Sequence, residues 1–225
     1  MTFVDRRDAG RQLARTLLQY RSEDPVVLAL PRGGVPVGYE VASALGAPLD
    51  ILVVRKLGAP GQAELGIGAI VDGERPEGVL NEEVVRLLDV PDEYLRQEIA
   101  RQLREIRRRQ AAYRGGHEAV SVADRTAILV DDGLATGGSM RAAIRGVRRA
   151  GPRRVVLAVP VAPADTVASL RSEVDDVACL STPELFGAVG NFYEDFSQTS
   201  DAEVVELLAA ARRPLAAPGG SPPAT

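Results

Sequence analysis

The chain has one cysteine, Cys179, and one histidine, His117. A lone cysteine excludes an internal disulfide and a cysteine-cluster metal site, and a lone histidine excludes a multi-histidine zinc centre. Tryptophan is absent, and aromatic residues make up only 4% of the sequence. No apolar run reaches membrane-spanning length and no signal peptide is evident, so the expected location is the cytoplasm, with no membrane partner. A formal net charge of −4 makes no whole-molecule case for nucleic acid. Chemistry must therefore come from carboxylates, guanidinium groups, backbone amides and hydroxyls. Lysine is also nearly missing: Lys56 stands alone against 26 arginines. A compact ammonium donates differently from a planar guanidinium, so this lysine beside Arg55 either serves that difference or survives at an exposed position by chance.

The 225 residues, 45% of them apolar, can bury the core of one domain, with or without an appended lobe. "DRRDAGRQLARTLLQY", with Leu13, Leu17 and acids near its start, predicts an amphipathic first helix covering a sheet. Short apolar runs at 26–30, 50–54, 127–131 and 154–159 have the valine and leucine content of strands buried on both faces, and 175–180 predicts another. Three of these runs lead into helix-like segments at 36–46, 138–150 and 163–171. That alternation implies an α/β fold: an open, mainly parallel sheet with helices on both faces and ligands outside its carboxyl ends.

Two regions interrupt the alternation. Residues 81–116 read as a helical insertion, a short and a long helix separated by Pro91, and residues 181–200 as an aromatic loop or hood. The expected organisation is one domain over 1–211, with the proline- and glycine-rich 212–225 a disordered tail. Residues 96–114 hold seven arginines and two glutamates. They form either a basic face for RNA or DNA or a solvated helix laced by pairs such as Arg101 with Glu105 and Glu105 with Arg109, the reading ranked first.

The stretch "AILVDDGLATGGSM", 127–140, sets two aspartates at the end of a buried strand, then small and hydroxyl residues before a helix. Unpaired first-turn N–H groups, glycines that let the backbone approach, and the hydroxyls of Thr136 and Ser139 suit a phosphate. Gly133, Gly138 and Ser139 have the spacing of a nucleotide-triphosphate loop but lack its lysine, and no G-x-G-x-x-G occurs. Carboxylates beside such a cradle would repel its ligand unless they accept hydrogen bonds from the ligand's hydroxyls or share a cation with it. A phosphorylated sugar with vicinal hydroxyls meets that demand. A second strand, glycine and helix-start sequence lies at "LALPRGGVPVG", 28–38, where a guanidinium and exposed amides suit a diphosphate or a tight turn.

These residues resemble the signature of type I phosphoribosyltransferases, and "VDDGLATGGSM" is similar to its adenine-type version. The resemblance spans roughly residues 26–182. "PRGGVPVG" and "RKLGAPGQAELGIGA" look most like segments of predicted bacterial members whose substrates are unassigned. It implies that Asp131 and Asp132 hold the ribose hydroxyls of phosphoribosyl pyrophosphate, and that Ala135, Thr136, Gly137, Gly138 and Ser139 wrap its 5′-phosphate. Arg32, Gly33 and Gly34 would bind the pyrophosphate. "VVRKLGAPGQAELGIGAI" is similar to the strand end and flexible loop that close over the substrate, which places Arg55 and Lys56 as catalytic groups against the leaving pyrophosphate. Mg²⁺ is the implied cofactor, met by Asp131 or Asp132 directly or through water.

The implied reaction is displacement of pyrophosphate from ribose C1 by a nitrogen acceptor, in nucleotide metabolism of the purine-salvage kind. Where 6-oxopurine enzymes place an aspartate in the phosphate loop this chain has Ala135, which disfavours hypoxanthine and guanine. Glu64 is either a loop acid or base or a solvated side chain. Phe186, Phe192 and Tyr193, with Phe196, could stack on a flat base or form a small local core. A homodimer is left open. The competing class is a non-catalytic sensor of phosphoribosyl pyrophosphate that binds RNA, DNA or a protein partner. A kinase or other nucleotide hydrolase is weakened by the missing loop lysine.

Overall fold

In the computed structural model, residues 2–72 and 77–213 are described; most of the expected tail, from residue 214 onward, lies outside them. The chain runs α1 (Arg6–Leu17), β1 (Pro25–Ala29), α2 (Gly34–Leu45), β2 (Leu49–Ile51), β3 (Val54–Ala59), β4 (Gln62–Val71), β5 (Glu77–Leu80), α3 (Glu82–Leu87) and α4 (Asp92–Arg114). It continues through β6 (Thr126–Val130), α5 (Gly138–Arg149), β7 (Arg154–Val161), α6 (Ala164–Arg171), β8 (Asp176–Ser181) and α7 (Asp201–Ala211).

Five parallel strands form the main sheet in the order β2-β1-β6-β7-β8. Every residue of β1 and β6 is buried, which is why these segments read as continuous apolar runs rather than alternating ones. Alternation reappears as a division of the core. Val27, Ala29, Ile128, Val130 and Val156 face one way, into a layer with α1, α2, α4 and α7. Val26, Leu28, Leu129, Val155 and Leu157 face the other, against α5 and α6. The first helix starts as its sequence predicts, with the Asp5 side chain accepting a hydrogen bond from the Asp8 amide, and it buries Leu13 and Leu17.

Two expectations are corrected. The run 50–54 is not one strand: β2 ends at Ile51, and the chain leaves the parallel sheet before β3 begins at Val54. The segment expected as a flexible loop is instead an antiparallel hairpin, β3 and β4, turning at Pro60–Gly61 and continued by β5 into a three-stranded sheet. Gly58, Gly66 and Gly68 sit in its strand pairing at a register shift, where glycine accommodates the irregular ladder.

On α4, the buried Leu95, Glu98, Gln102 and Ile106 recur at helical spacing. Arg101 pairs with Glu98 at 2.7 Å rather than with Glu105, while Glu105 holds Arg108 and Arg109, each at 2.9 Å. With Arg96 on Glu93 and Arg114 on Asp50, five of the seven arginines of 96–114 are ion-paired. That pattern is a laced helix rather than a bare basic face.

Candidate active site

Strand order reverses between β1 and β6: from β1 the chain steps outward to β2, and from β6 it steps the opposite way through β7 to β8. Connections leaving such a point in opposite directions open a crevice at the carboxyl ends of the strands. Asp131 and Asp132 follow β6 there, and Pro31 to Gly34 follow β1. The Leu30 amide donates to the Val130 carbonyl at 2.9 Å, which holds the two strand ends side by side. The Pro31–Arg32 peptide bond is cis.

The two loops touch. A Cβ added at Gly33 would lie 2.0 Å from Asp132 Oδ2, and one at Gly34 2.8 Å from the Val130 carbonyl oxygen. Only glycine allows this approach. α2 and α5 both begin at the crevice with no side-chain cap, and Gly137, at φ 71°, turns the chain into α5. The first turn of α5 thus brings amides beside a pair of carboxylates, whereas at α2 the Gly34 and Val35 amides already donate to the Leu30 and Arg32 carbonyls.

The acid pair is electrostatically unusual. Burial, and then the charge on Asp132, push the Asp131 carboxyl well above the usual carboxylate range. Burial also raises Asp132, opposed by Arg6. Arg6 Nε donates to Asp132 Oδ2 at 2.8 Å, with the two side chains 11% and 15% exposed. The Tyr193 hydroxyl donates to the Asp132 carbonyl at 2.5 Å. Arg6 escaped the sequence reading because it is an ordinary polar residue at the start of an amphipathic helix. Its partner is 126 residues away, and no local pattern announces the contact.

Ala135, Thr136 and Gly138 are exposed, Ser139 is half-buried and Gly137 is buried. The Ala135 carbonyl accepts the Thr166 hydroxyl at 2.7 Å, which ties the loop to α6. Arg32 pairs with Asp201 at 3.6 Å. Arg55 and Lys56 are not brought together, because adjacent residues of a strand face opposite sides. Arg55 Nε donates to Gln102 of α4 at 2.9 Å, whereas Lys56 lines a groove with Gly138, Arg141 and Arg145 of α5. Of residues 135–139, Gly138 alone lines this groove with the lysine, and neither Asp131 nor Asp132 does. The Glu64 side chain lies outside the described residues.

Phe186 and Phe192 stack on each other at 5.3 Å between ring centroids. Tyr193, 7% exposed, is enclosed by Phe3 at 5.4 Å and Phe196 at 5.0 Å. Phe186, Phe192 and Tyr193 belong to a small core with Phe3, Ala9 and Val161. The three aromatic candidates share this cluster: Phe186 and Phe192 each give one face to the other, and Tyr193 packs against Phe3 and Phe196. Among the described residues no group of three or more histidine, cysteine, aspartate or glutamate side chains could hold a metal, and no helix is long and apolar enough to cross a membrane.

Comparison with known proteins agrees with this architecture. Residues 5–197 match the family model described as "Phosphoribosyl transferase domain". The chain belongs to the phosphoribosyltransferase family. It is 50% identical over 217 residues to "Putative phosphoribosyl transferase Rv0571c" of Mycobacterium tuberculosis, a match covering 96% of this chain and 48% of that protein. The chain thus spans about half the length of the curated relatives it matches. Among solved structures, the TT1426 protein of Thermus thermophilus is 45% identical with a TM-score of 0.82, over 93% of this chain and 99% of that one.

Proposed function

We propose that residues 1–211 act as one Mg²⁺-dependent phosphoribosyltransferase domain that transfers the phosphoribosyl group of phosphoribosyl pyrophosphate to a nitrogen acceptor. The observation that carries this reading is the contact between the two loops, with the Cβ position of Gly33 2.0 Å from Asp132 Oδ2. A single ligand with a diphosphate beside vicinal hydroxyls meets both loops at once. Asp131 and Asp132 accept the ribose hydroxyls. Ala135 to Ser139 and the first turn of α5 take the 5′-phosphate, and Arg32, Gly33 and Gly34 take the pyrophosphate. Lys56, in the cleft shared with Gly138, is the cation we assign to the departing charge. Arg55 joins it only by releasing Gln102.

Two carboxylates without a third protein ligand fit Mg²⁺ carried on substrate oxygens, which usually keeps several waters and one or two carboxylates. Bound there, the ion supplies charge neutralisation for the leaving pyrophosphate. The chain's own part is positioning: it fixes the ribose and both phosphate groups so that C1 faces the acceptor while positive charge develops on the ring. Phe186, Phe192 and Tyr193 frame the acceptor side rather than stack on the base. The test is pyrophosphate release from phosphoribosyl pyrophosphate with Mg²⁺ and a panel of nitrogen acceptors, the products weighed by mass spectrometry. A ribosylated product is expected. Binding without acceptor-dependent release across a broad panel would move the protein to the sensor class.

A further inference from the structure

Arg6 is a cation held almost out of water, and three contacts fix its plane. Nε donates to Asp132 Oδ2 at 2.8 Å, Nη1 donates to the Ser197 carbonyl at 2.7 Å, and the guanidinium carbon lies 3.8 Å from the centre of the Phe196 ring. The edge of a guanidinium formed by Nε and Nη2 presents two parallel N–H donors, which match the two oxygens of a carboxylate. Here that edge is half used: Nε has one oxygen of Asp132, and Nη2 donates to none of the described residues. The neighbouring rings are already partly engaged. Phe186 and Phe192 each give one face to the other and stay half-buried, Tyr193 is enclosed, and Phe196 has Arg6 on one face. The phosphate loop has Ala135 where a polar side chain could have gripped a base.

We propose that Arg6 is the acceptor-recognition residue, and that the acceptor is a planar nitrogen compound carrying its own carboxylate. The inference rests on the phosphoribosyltransferase reading. A ribose hydroxyl bonded at Asp132 Oδ2 takes the place of the Nε–H held there, and the whole Nε/Nη2 edge becomes a preorganised fork at the mouth of the site. Phosphoribosyl pyrophosphate then binds first and creates the acceptor subsite, because until it arrives Asp132 competes for the same donor.

The test is calorimetry on the full chain. Phosphoribosyl pyrophosphate with Mg²⁺ is titrated first. With it bound, matched probes follow: pyridine and pyrimidine carboxylates against the corresponding carboxamides, and benzoate against benzamide as a pair with no ring nitrogen to react. Each carboxylate should bind at least about tenfold more tightly than its amide. In Arg6→Gln the preference should disappear, and in Arg6→Lys, which keeps the charge and loses the fork, it should be intermediate. Equal affinities within every pair, no binding of any probe up to its solubility limit, or a preference that survives in Arg6→Gln would each overturn the proposal. If phosphoribosyl pyrophosphate itself fails to bind, the underlying reading falls as well; if it binds and no charge preference appears, only this inference does. Should both variants fail to fold, the matched pairs on the unmodified chain still decide.

Discussion

Asp50 with Asp72 and Asp131 with Asp132 are two pairs of carboxylates taken out of water, and each pair has one arginine. At Asp50 and Asp72 that arginine serves both members: Arg114 Nε bonds Asp50 at 2.9 Å and its Nη2 bonds Asp72 at 3.0 Å. The Ile51 and Val120 amides donate to Asp50, Gln110 donates to Asp72, and Arg114 also reaches the Ile51 carbonyl. At Asp131 and Asp132, Arg6 bonds one carboxylate through one nitrogen, and among the described residues Asp131 accepts only the amide of its neighbour. Closing a network this fully pins the end of α4 to the sheet. Leaving one open keeps acceptors ready for a ligand; burial raises the carboxyl pKa at Asp72 and Asp131 alike, but at Asp72 Arg114 and Gln110 oppose the rise, whereas at Asp131 the neighbouring Asp132 adds to it.

The contrast can be broken from either side. The largest expected effect is at the closed pair: Arg114→Met strands two buried carboxylates and should cost about 3–5 kcal/mol in urea unfolding, while the folded fraction binds phosphoribosyl pyrophosphate much as before. At the open pair, Asp131→Asn combined with Asp132→Asn should leave the protein folded and weaken Mg²⁺-dependent binding of phosphoribosyl pyrophosphate by about a hundredfold, near 3 kcal/mol. Unchanged affinity by calorimetry would remove the acids from the site. The smallest effect sharpens the distinction. Because the folded state raises the Asp131 pKa, the native protein binds more protons than the unfolded chain above the ordinary carboxylate value. The carboxyl's contribution is therefore most favourable below that value and declines as pH rises toward the folded pKa. Asp131→Asn should thus be more stable than the unmodified protein at pH 7, with the gap narrowing as the pH falls toward 4, read from urea midpoints.

Much of the parallel sheet was legible because β1, β6 and β7 are buried on both faces and so carry unbroken apolar runs. The acid pair was legible because its charge sits directly against such a run. The hairpin was not: Gly58, Gly66 and Gly68 stand where alternating side chains would have signalled strands, and cross-strand pairing supplies the order that local sequence lacks. The aromatic cluster could be located by composition, but ring-to-ring packing and the burial of Tyr193 are properties of the folded chain. Arg6 had no local signature, since its role depends on a partner on the other side of the fold.

The first few residues have a practical bearing on how the protein is handled. The Phe3 amide donates to the Phe192 carbonyl, the Glu194 amide to the Phe3 carbonyl and the Asp195 amide to the Val4 carbonyl, each within 2.9 Å. Three residues further on, Arg6 reaches the acid pair. Residues 3–6 are thus woven into the rim of the site, and a purification handle joined just before them would pull on the bridge that seats Tyr193 and on the helix that carries Arg6. Affinities measured on a protein tagged there would describe the tag as well as the cleft.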